Sequence, residues 1–240
     1  MPQISIFQVS GPGPPGRDSE RSPVVCKVTG PNGVNAMSAS TTTVLTAETA
    51  SEYDFVIGLD ASGSMASPST RYPGKTRWEE AQETIFGLAS VLNKYDTDGI
   101  DLVVFGGAVQ VFECVTPDKV SSIFQSRSPR GSTPLAEAIV QIDALNADGK
   151  KAVAIIFTDG EPDDRAAAEA AIVAAAAKLE RDEDFTILFV QIGDDAGAAK
   201  FLAHLDDGLT SAKFDIVDTI SAAEADKMEP LDLINTAIND

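Results

Sequence analysis

The segment YDFVIGLDASGSM, residues 53–65, places a run of β-forming apolar residues directly before a short polar loop. The run Tyr53–Leu59 is rich in Val, Ile and Phe, which is typical of a strand that is buried on both faces. The loop offers one carboxylate and two hydroxyls at alternate positions, Asp60, Ser62 and Ser64. Ligands of an open parallel sheet bind beyond the carboxyl ends of its strands. The segment therefore predicts a buried strand with a ligand site at its end.

Downstream of this segment, short β-rich runs alternate with longer segments of helical periodicity. The further strand-like runs are Ile100–Phe105, Val109–Phe112, Ala152–Thr158, Thr186–Ile192 and Phe214–Val217. The helical segments are Thr76–Lys94, Pro117–Gln125, Pro134–Leu145, Asp163–Arg181, Ala196–Leu205 and Leu231–Ile238. Strands that alternate with helices form crossover units, which build a parallel sheet covered on both faces. We predict an α/β fold with a doubly wound, mostly parallel sheet of six strands and helices on both faces.

The connection between the second and third runs is too short for a crossover. Only Gly106, Gly107 and Ala108 separate the two runs. A parallel pair needs a connection of about a dozen residues or more, whereas an antiparallel hairpin needs only a few. The third strand is therefore predicted to be an antiparallel edge strand.

Residues 1–50 differ in composition from the rest of the chain, because prolines and glycines interrupt them too often for helices. They are predicted to form an N-terminal arm that is partly disordered or holds short strands. The candidate strands are Ile4–Val9, Val24–Val28 and Thr42–Thr46. The predicted organisation is an arm at residues 1–50 and one domain at residues 51–240.

The chain of 240 residues has a formal net charge of -19, which limits its partners. A nucleic-acid backbone and an anionic membrane surface both attract clustered Lys and Arg, so neither is an expected partner. An acidic chain attracts metal ions and basic surfaces instead. No basic start precedes an apolar run, and no apolar stretch reaches about 18 residues, so neither secretion nor membrane insertion is expected. The expected location is the cytoplasm.

Two further loops also carry oxygen-bearing side chains. Thr158-Asp159-Gly160 follows another apolar run, which places Asp159 on the same rim of the sheet as the first loop. The loop PRGSTPL, residues 129–135, holds Pro134, which can open a helix at its first turn and leave Thr133 near the cap. Carboxylate and hydroxyl oxygens suit hard divalent cations such as Mg²⁺. The alternative is that these residues only cap the helices that follow.

The three loops resemble the metal-binding loops of von Willebrand factor A domains. The resemblance rests on D-x-S-x-S after the first strand, a Thr within G-x-T-P-L and T-D-G after the fourth strand, and it covers about residues 53–218. It implies a metal-ion-dependent adhesion site, in which serines usually ligate directly and aspartates often act through water. The implied metal ligands are Asp60, Ser62, Ser64, Thr133 and Asp159. Mg²⁺ is the expected cation, with Mn²⁺ and Ca²⁺ as alternatives.

The resemblance also implies a function in protein binding, in which the cation recruits an acidic group of a protein partner. We therefore expect a binding module and not an enzyme. A metal-dependent phosphoryl-transfer or hydrolytic enzyme is one alternative, but an aspartyl-phosphate enzyme typically needs a second carboxylate where Ser62 stands. The other alternative is a scaffold or assembly subunit that acts through its N-terminal arm.

The segments at residues 194–209 and 213–240 resemble stand-alone bacterial intracellular A domains, such as those of tellurite-resistance and stress operons. This resemblance implies a cytoplasmic bacterial protein. It also implies a partner that is encoded nearby, such as an operon-encoded ATPase or stress protein.

The loop at residues 66–75 is longer than is usual in the family and borders the predicted site. Four side chains of this region either shape the choice of ligand or balance the acidic residues of the third loop, and balance is the expected role. The four are Arg71, Tyr72, Lys75 and Arg77, and the acidic residues are Glu161, Asp163 and Asp164.

Overall fold

The computed structural model describes Thr46 and residues 49–95, 99–146 and 150–239. Its strands are β1 (Tyr53–Asp60), β2 (Ile100–Phe105), β3 (Val109–Val115), β4 (Lys151–Thr158), β5 (Phe185–Gln191) and β6 (Val217–Ser221). They form one sheet in the order β3-β2-β1-β4-β5-β6. Strand β3 pairs antiparallel with β2, and all other neighbours pair in parallel. The predicted six-stranded α/β sheet and its antiparallel edge strand are confirmed.

Helices cover both faces of this sheet. They are α1 (Arg77–Leu92), α2 (Pro117–Gln125), α3 (Leu135–Leu145), α4 (Arg165–Ala176), α5 (Ala196–Asp207), α6 (Ala222–Ala225) and α7 (Pro230–Ile238). Helices α1 and α7 bury Ile85 and Leu233 in one core. Helices α3 and α4 bury Ile139 and Ile172 in a second core. No helix within the described ranges is long and apolar enough to cross a membrane.

Strand β1 supplies side chains to both cores. Phe55 and Ile57 belong to the core under α1 and α7, whereas Val56 belongs to the other core. Successive side chains of a strand point to opposite faces, so a strand between two helical layers must be apolar at almost every position. The continuous apolar run Tyr53–Leu59 follows from this central position.

The strand order reverses beside β1, because β2 lies on one side of it and β4 on the other. Leu59 of β1 is paired with Phe157 of β4, so the two strands end at the same level. In open α/β sheets, the crevice beyond the carboxyl ends at such a reversal is the usual ligand site. Asp60, the last residue of β1, and Asp159, the first residue after β4, both lie at this crevice.

The sixth strand is Val217–Ser221 and not Phe214–Val217 as predicted. Phe214 packs against the second core before the strand begins. Strand β6 is an edge strand with partly exposed side chains, and the amide and hydroxyl of Thr219 both donate to Asp206 Oδ2, at 3.0 and 2.9 Å. Its polar residues gave no apolar signal, which is why the strand was placed too early.

The helix predicted at Asp163–Arg181 is also shorter than expected. Helix α4 ends at Ala176, and the chain leaves it through turns in which the amides of Lys178 and Leu179 donate to the carbonyls of Ala175 and Ala176. The short helix α6 was not predicted. The candidate arm strands lie outside the described residues, except for Thr46, and the division at residue 50 remains a prediction.

Candidate metal centre

The first loop folds back on Asp60 at the end of β1. The amide of Ser62 donates to Asp60 Oδ1 at 2.7 Å. The hydroxyls of Ser62 and Ser64 are hydrogen-bonded to each other, with 2.9 Å between their oxygens. A short 3-10 turn, Gly63–Ala66, then carries the chain away from the sheet. The loop therefore gathers one carboxylate and two hydroxyls in one place, as the sequence predicted.

The end of β4 joins the same cluster. The hydroxyl of Thr158 donates to Asp60 Oδ2 at 2.7 Å, and the hydroxyl of Ser64 donates to Asp159 Oδ1 at 2.7 Å. Asp60 and Asp159 are both buried. Thr158 belongs to the T-D-G motif, but its bond to Asp60 was not predicted from the sequence. These two bonds therefore join the first and third loops.

The second loop is attached to the first loop by backbone hydrogen bonds. The amide of Gly63 donates to the carbonyl of Gly131 at 3.1 Å. The amide of Arg130 donates to the carbonyl of Ala61 at 2.8 Å. These two bonds fix residues 130–131 beside the first loop, so all three predicted loops meet at one end of the sheet.

The backbone of Thr133 is bonded to the third loop. Its amide donates to Asp163 Oδ1 and its carbonyl accepts from the amide of Asp163, both at 3.0 Å. The residue is buried. Helix α3 begins at Leu135 with Pro134 in the capping position, one residue later than predicted. Asp163 thus joins the second loop to the third, a role that no sequence pattern predicted.

Gly106, the first residue after β2, lets the first loop lie against the sheet. A Cβ atom at this position would lie 2.4 Å from the carbonyl oxygen of Ala61 and 2.9 Å from the amide nitrogen of Ser62. Both are backbone atoms, so a side chain could not be accommodated by rotation of its neighbour. The only sequence signal was the Gly106-Gly107 pair in the short hairpin connection, which was interpreted as a turn and not as part of the site.

The carboxyl group of Asp60 is strongly affected by its surroundings. Burial raises its pKa to about 6, and the neighbouring Asp159 carboxylate adds to the rise, while hydrogen bonds from Ser62 and Thr158 act in the opposite direction. A nearby cation favours the ionised form of a carboxyl group. The centre therefore holds a buried acidic group whose charge a bound cation would stabilise.

Arg77 is the one member of the four side chains discussed above that is bonded to a predicted ligand. Its Nη1 donates to Asp159 Oδ2 at 2.7 Å. Its position at the start of α1 aims it at the end of β4. The sequence had placed this arginine near the site without identifying its partner.

The other three side chains have partners away from the third loop, so the expectation that they balance its carboxylates is wrong. Arg71 pairs with the buried Glu80 at 2.7 Å and with Asp226. Tyr72 donates to Asp226 as well, and Lys75 pairs with Glu83 at 2.5 Å. These contacts fasten the long loop to α1 and to the chain after β6. Glu161 pairs instead with Arg165, on the first turn of α4.

The oxygens of the cluster fit a small divalent cation. Mg²⁺ binds oxygens at about 2.0–2.1 Å in an octahedron, so adjacent ligand oxygens lie about 2.9 Å apart. The hydroxyl oxygens of Ser62 and Ser64 have this separation, 2.9 Å. Within residues 49–95, 99–146 and 150–239, no group of three or more His, Cys, Asp or Glu side chains is placed to hold a metal ion. The donor set is a mixture of hydroxyls and carboxylates, which is suited to a hard cation.

Comparison with known protein families gives one match. Residues 55–161 match the family model described as von Willebrand factor type A domain. This range contains the first two loops and the Thr158-Asp159-Gly160 segment of the third loop. No curated protein sequence matches the chain.

Solved structures with the same fold include proteins of very different organisms. The manganese-loaded TRAP protein of Plasmodium vivax is 19% identical, with 79% of this chain and 74% of that chain covered and a TM-score of 0.53. A point mutant of the PilB minor pilin from Streptococcus sanguinis is 12% identical, with 78% and 60% covered and a TM-score of 0.52. This chain thus spans less than two thirds of the pilin. At these identities, the similarity shows the fold alone.

Proposed function

Because this chain contains a von Willebrand factor type A domain, we propose that it acts as a protein-binding module that depends on a divalent cation. The residues that hold the cation are Asp60, Ser62, Ser64, Thr133 and Asp159, which together make a metal-ion-dependent adhesion site. Mg²⁺ is the proposed metal, with Mn²⁺ and Ca²⁺ as alternatives.

One observation carries this proposal: the hydrogen-bonded chain that runs from the buried Asp60 through the amide and hydroxyl of Ser62 and the hydroxyl of Ser64 to the buried Asp159. Buried polar side chains are uncommon unless they have partners or a function. Asp60, Ser62, Thr158 and Asp159 are nearly inaccessible and lie together at the strand-order reversal. The Plasmodium vivax protein of the same fold is manganese-loaded, which also supports a metal-binding role for this chain.

The proposed partner is a protein that presents a carboxylate. A chain with a formal net charge of -19 repels acidic groups overall. A divalent cation with an open coordination position reverses the local sign of charge and can accept a carboxylate oxygen. Asp60, Asp159 and the two serines would hold this charge in place and leave its outer side to the partner. A cytoplasmic bacterial location, and an operon-encoded ATPase or stress protein as partner, belong to the same proposal.

We propose that the chain is not an enzyme. The position two residues after Asp60 is Ser62, whose hydroxyl is bonded to Ser64, so the second carboxylate of an aspartyl-phosphate site is absent there. The chain has one histidine, His204. Its Nε2 lies 3.2 Å from Oε1 of Glu169. This pair joins α5 to α4 and leaves His204 without a role at the three loops.

Partner capture should depend on both the metal and the serines. The chain, immobilised and exposed to extract of its native cells, should retain a protein in Mg²⁺ and lose it in chelator, because the carboxylate has no other cation to bind. The Ser62→Ala/Ser64→Ala double variant should retain nothing in either buffer. The measurement is quantitative mass spectrometry of the retained proteins. Equal retention of the same protein by wild type and double variant would contradict the proposal.

A further inference from the structure

We propose that Arg77 is a built-in competitor of the cation for Asp159, and that it sets how tightly the site binds metal. The inference rests on the proposed function, because it concerns the affinity of the same site. It assigns to Arg77 a role that the five ligand positions do not include.

The first support is the contact itself. Arg77 Nη1 lies 2.7 Å from Asp159 Oδ2, and the side chains are 15% and 0% exposed. The other oxygen of this carboxylate, Oδ1, accepts the hydroxyl of Ser64. Both oxygens of Asp159 therefore have a donor within the chain, and one of these donors carries a full positive charge. A cation that binds Asp159 must share this carboxylate with the guanidinium group of Arg77.

The second support is that the fold provides a slot for the guanidinium group. Arg77 begins α1, and its amide donates to the carbonyl of Ser67 at 2.9 Å, which fixes the start of the side chain. Gly193, two residues after β5, lies close to the group. A Cβ atom there would come within 2.8 to 2.9 Å of Nε, Cζ and Nη2 of Arg77. The guanidinium is therefore held at the site and does not merely reach it from the surface.

The third support is that the group is incompletely bonded in this slot. Arg77 Nε is buried and has no hydrogen-bond partner among the described residues. The contact of Nη2 with Asp194 is long, 3.9 Å, and Asp194 is largely exposed. The bond to Asp159 is thus the main contact of the guanidinium group, and not all of its N–H donors are used. A divalent cation, which carries the larger charge, can therefore displace the arginine from the carboxylate of Asp159.

These contacts give Arg77 opposite effects on two measurable quantities. Without metal, its charge stabilises the buried Asp159, because a buried carboxylate without a partner is costly. With metal, the same charge repels the cation and occupies Asp159 Oδ2, so it weakens binding. Loss of a residue with a purely structural role would lower both the stability without metal and the affinity for metal, because it would loosen the site.

The test uses Arg77→Met, which keeps an unbranched apolar stem and removes the charge. Calorimetric titration with Mg²⁺ and with Mn²⁺ should give a dissociation constant about tenfold lower than that of the wild type. Thermal unfolding in chelator should show a Tm lower by about 5 °C or more. Arg181→Met is the matched control. It also removes one positive charge, but Arg181 pairs with Asp184 near the start of β5, away from the three loops. The affinity of the Arg181→Met variant for metal should therefore equal that of the wild type.

Arg77→Lys separates charge from shape. Lysine keeps the positive charge, so this variant should stay close to the affinity of the wild type. The inference is overturned if Arg77→Met binds metal no more tightly than the wild type, or if Arg77→Lys binds as tightly as Arg77→Met. If the wild type itself binds no divalent cation, the proposed function fails and the inference fails with it. Wild-type binding with an unchanged Arg77→Met affinity removes only the inference.

Discussion

Gly106→Ala should lower the free energy of unfolding by about 3 kcal/mol and weaken divalent-cation binding about tenfold. The added methyl group would lie 2.4 Å from the carbonyl oxygen of Ala61 and 2.9 Å from the amide nitrogen of Ser62. Neither backbone atom can turn away, so the first loop must move off the sheet. Asp60 is fixed to that loop by the amide of Ser62, so the ligand geometry changes with it. Urea unfolding and calorimetric titration of the variant measure the two effects.

Gly87→Ala is the control for this substitution. Gly87 lies in α1, and a Cβ atom there would meet nothing within 4 Å. Alanine is the better helix former by about 1 kcal/mol, so this variant should be more stable than the wild type and should bind metal equally well. A Gly106→Ala protein that matches Gly87→Ala in stability and affinity would show that the first loop does not depend on the contact with residue 106.

Phe189→Ala should lower the free energy of unfolding by about 4 kcal/mol. Phe189 lies in the middle of β5, paired with Ile156 on one side and Thr219 on the other, and its side chain is 0% exposed. Its removal leaves a cavity in the second core that the flanking strands cannot fill. Phe189 belongs to the second core and is not a residue of the three loops. Metal affinity, measured where the variant is folded, should therefore be retained.

Phe86→Ala provides the comparison for the same change of side chain. Phe86 lies on α1 and is 42% exposed, so its replacement removes little buried surface. Its effect on the free energy of unfolding should stay below about 1 kcal/mol. Equal losses for the two variants in denaturant unfolding would contradict the assignment of Phe189 to a closely packed core.

The fold could be predicted from the sequence because its strands are buried on both faces. Such strands must be apolar almost throughout, so runs such as Tyr53–Leu59 stand out. Strand β6 was misplaced for the same physical reason, since an edge strand takes polar residues such as Thr219 and gives no such run. Helix α4 was extended too far because alanine-rich sequence continues the helical pattern beyond Ala176, where the backbone turns.

The candidate site could be predicted in part. Asp60, Ser62 and Ser64 are adjacent in sequence, and the rule that strands of a parallel sheet end on one side brings Asp159 to them. Contacts between distant residues could not be predicted in this way. The bond of Arg77 to Asp159 and the close approach of Gly106 to Ala61 both depend on how loops cross in space, which no local pattern encodes.

Cation binding by the oxygen cluster is tested most directly by calorimetric titration of Mg²⁺, Mn²⁺ and Ca²⁺ into the wild type and into Ser62→Ala/Ser64→Ala. The Ser121→Ala/Ser122→Ala protein, which loses two hydroxyls from α2, is the control. The wild type and the control should bind one cation with the same affinity, and the Ser62→Ala/Ser64→Ala protein should give no heat of binding. Identical titrations for the wild type and the Ser62→Ala/Ser64→Ala protein would contradict the account.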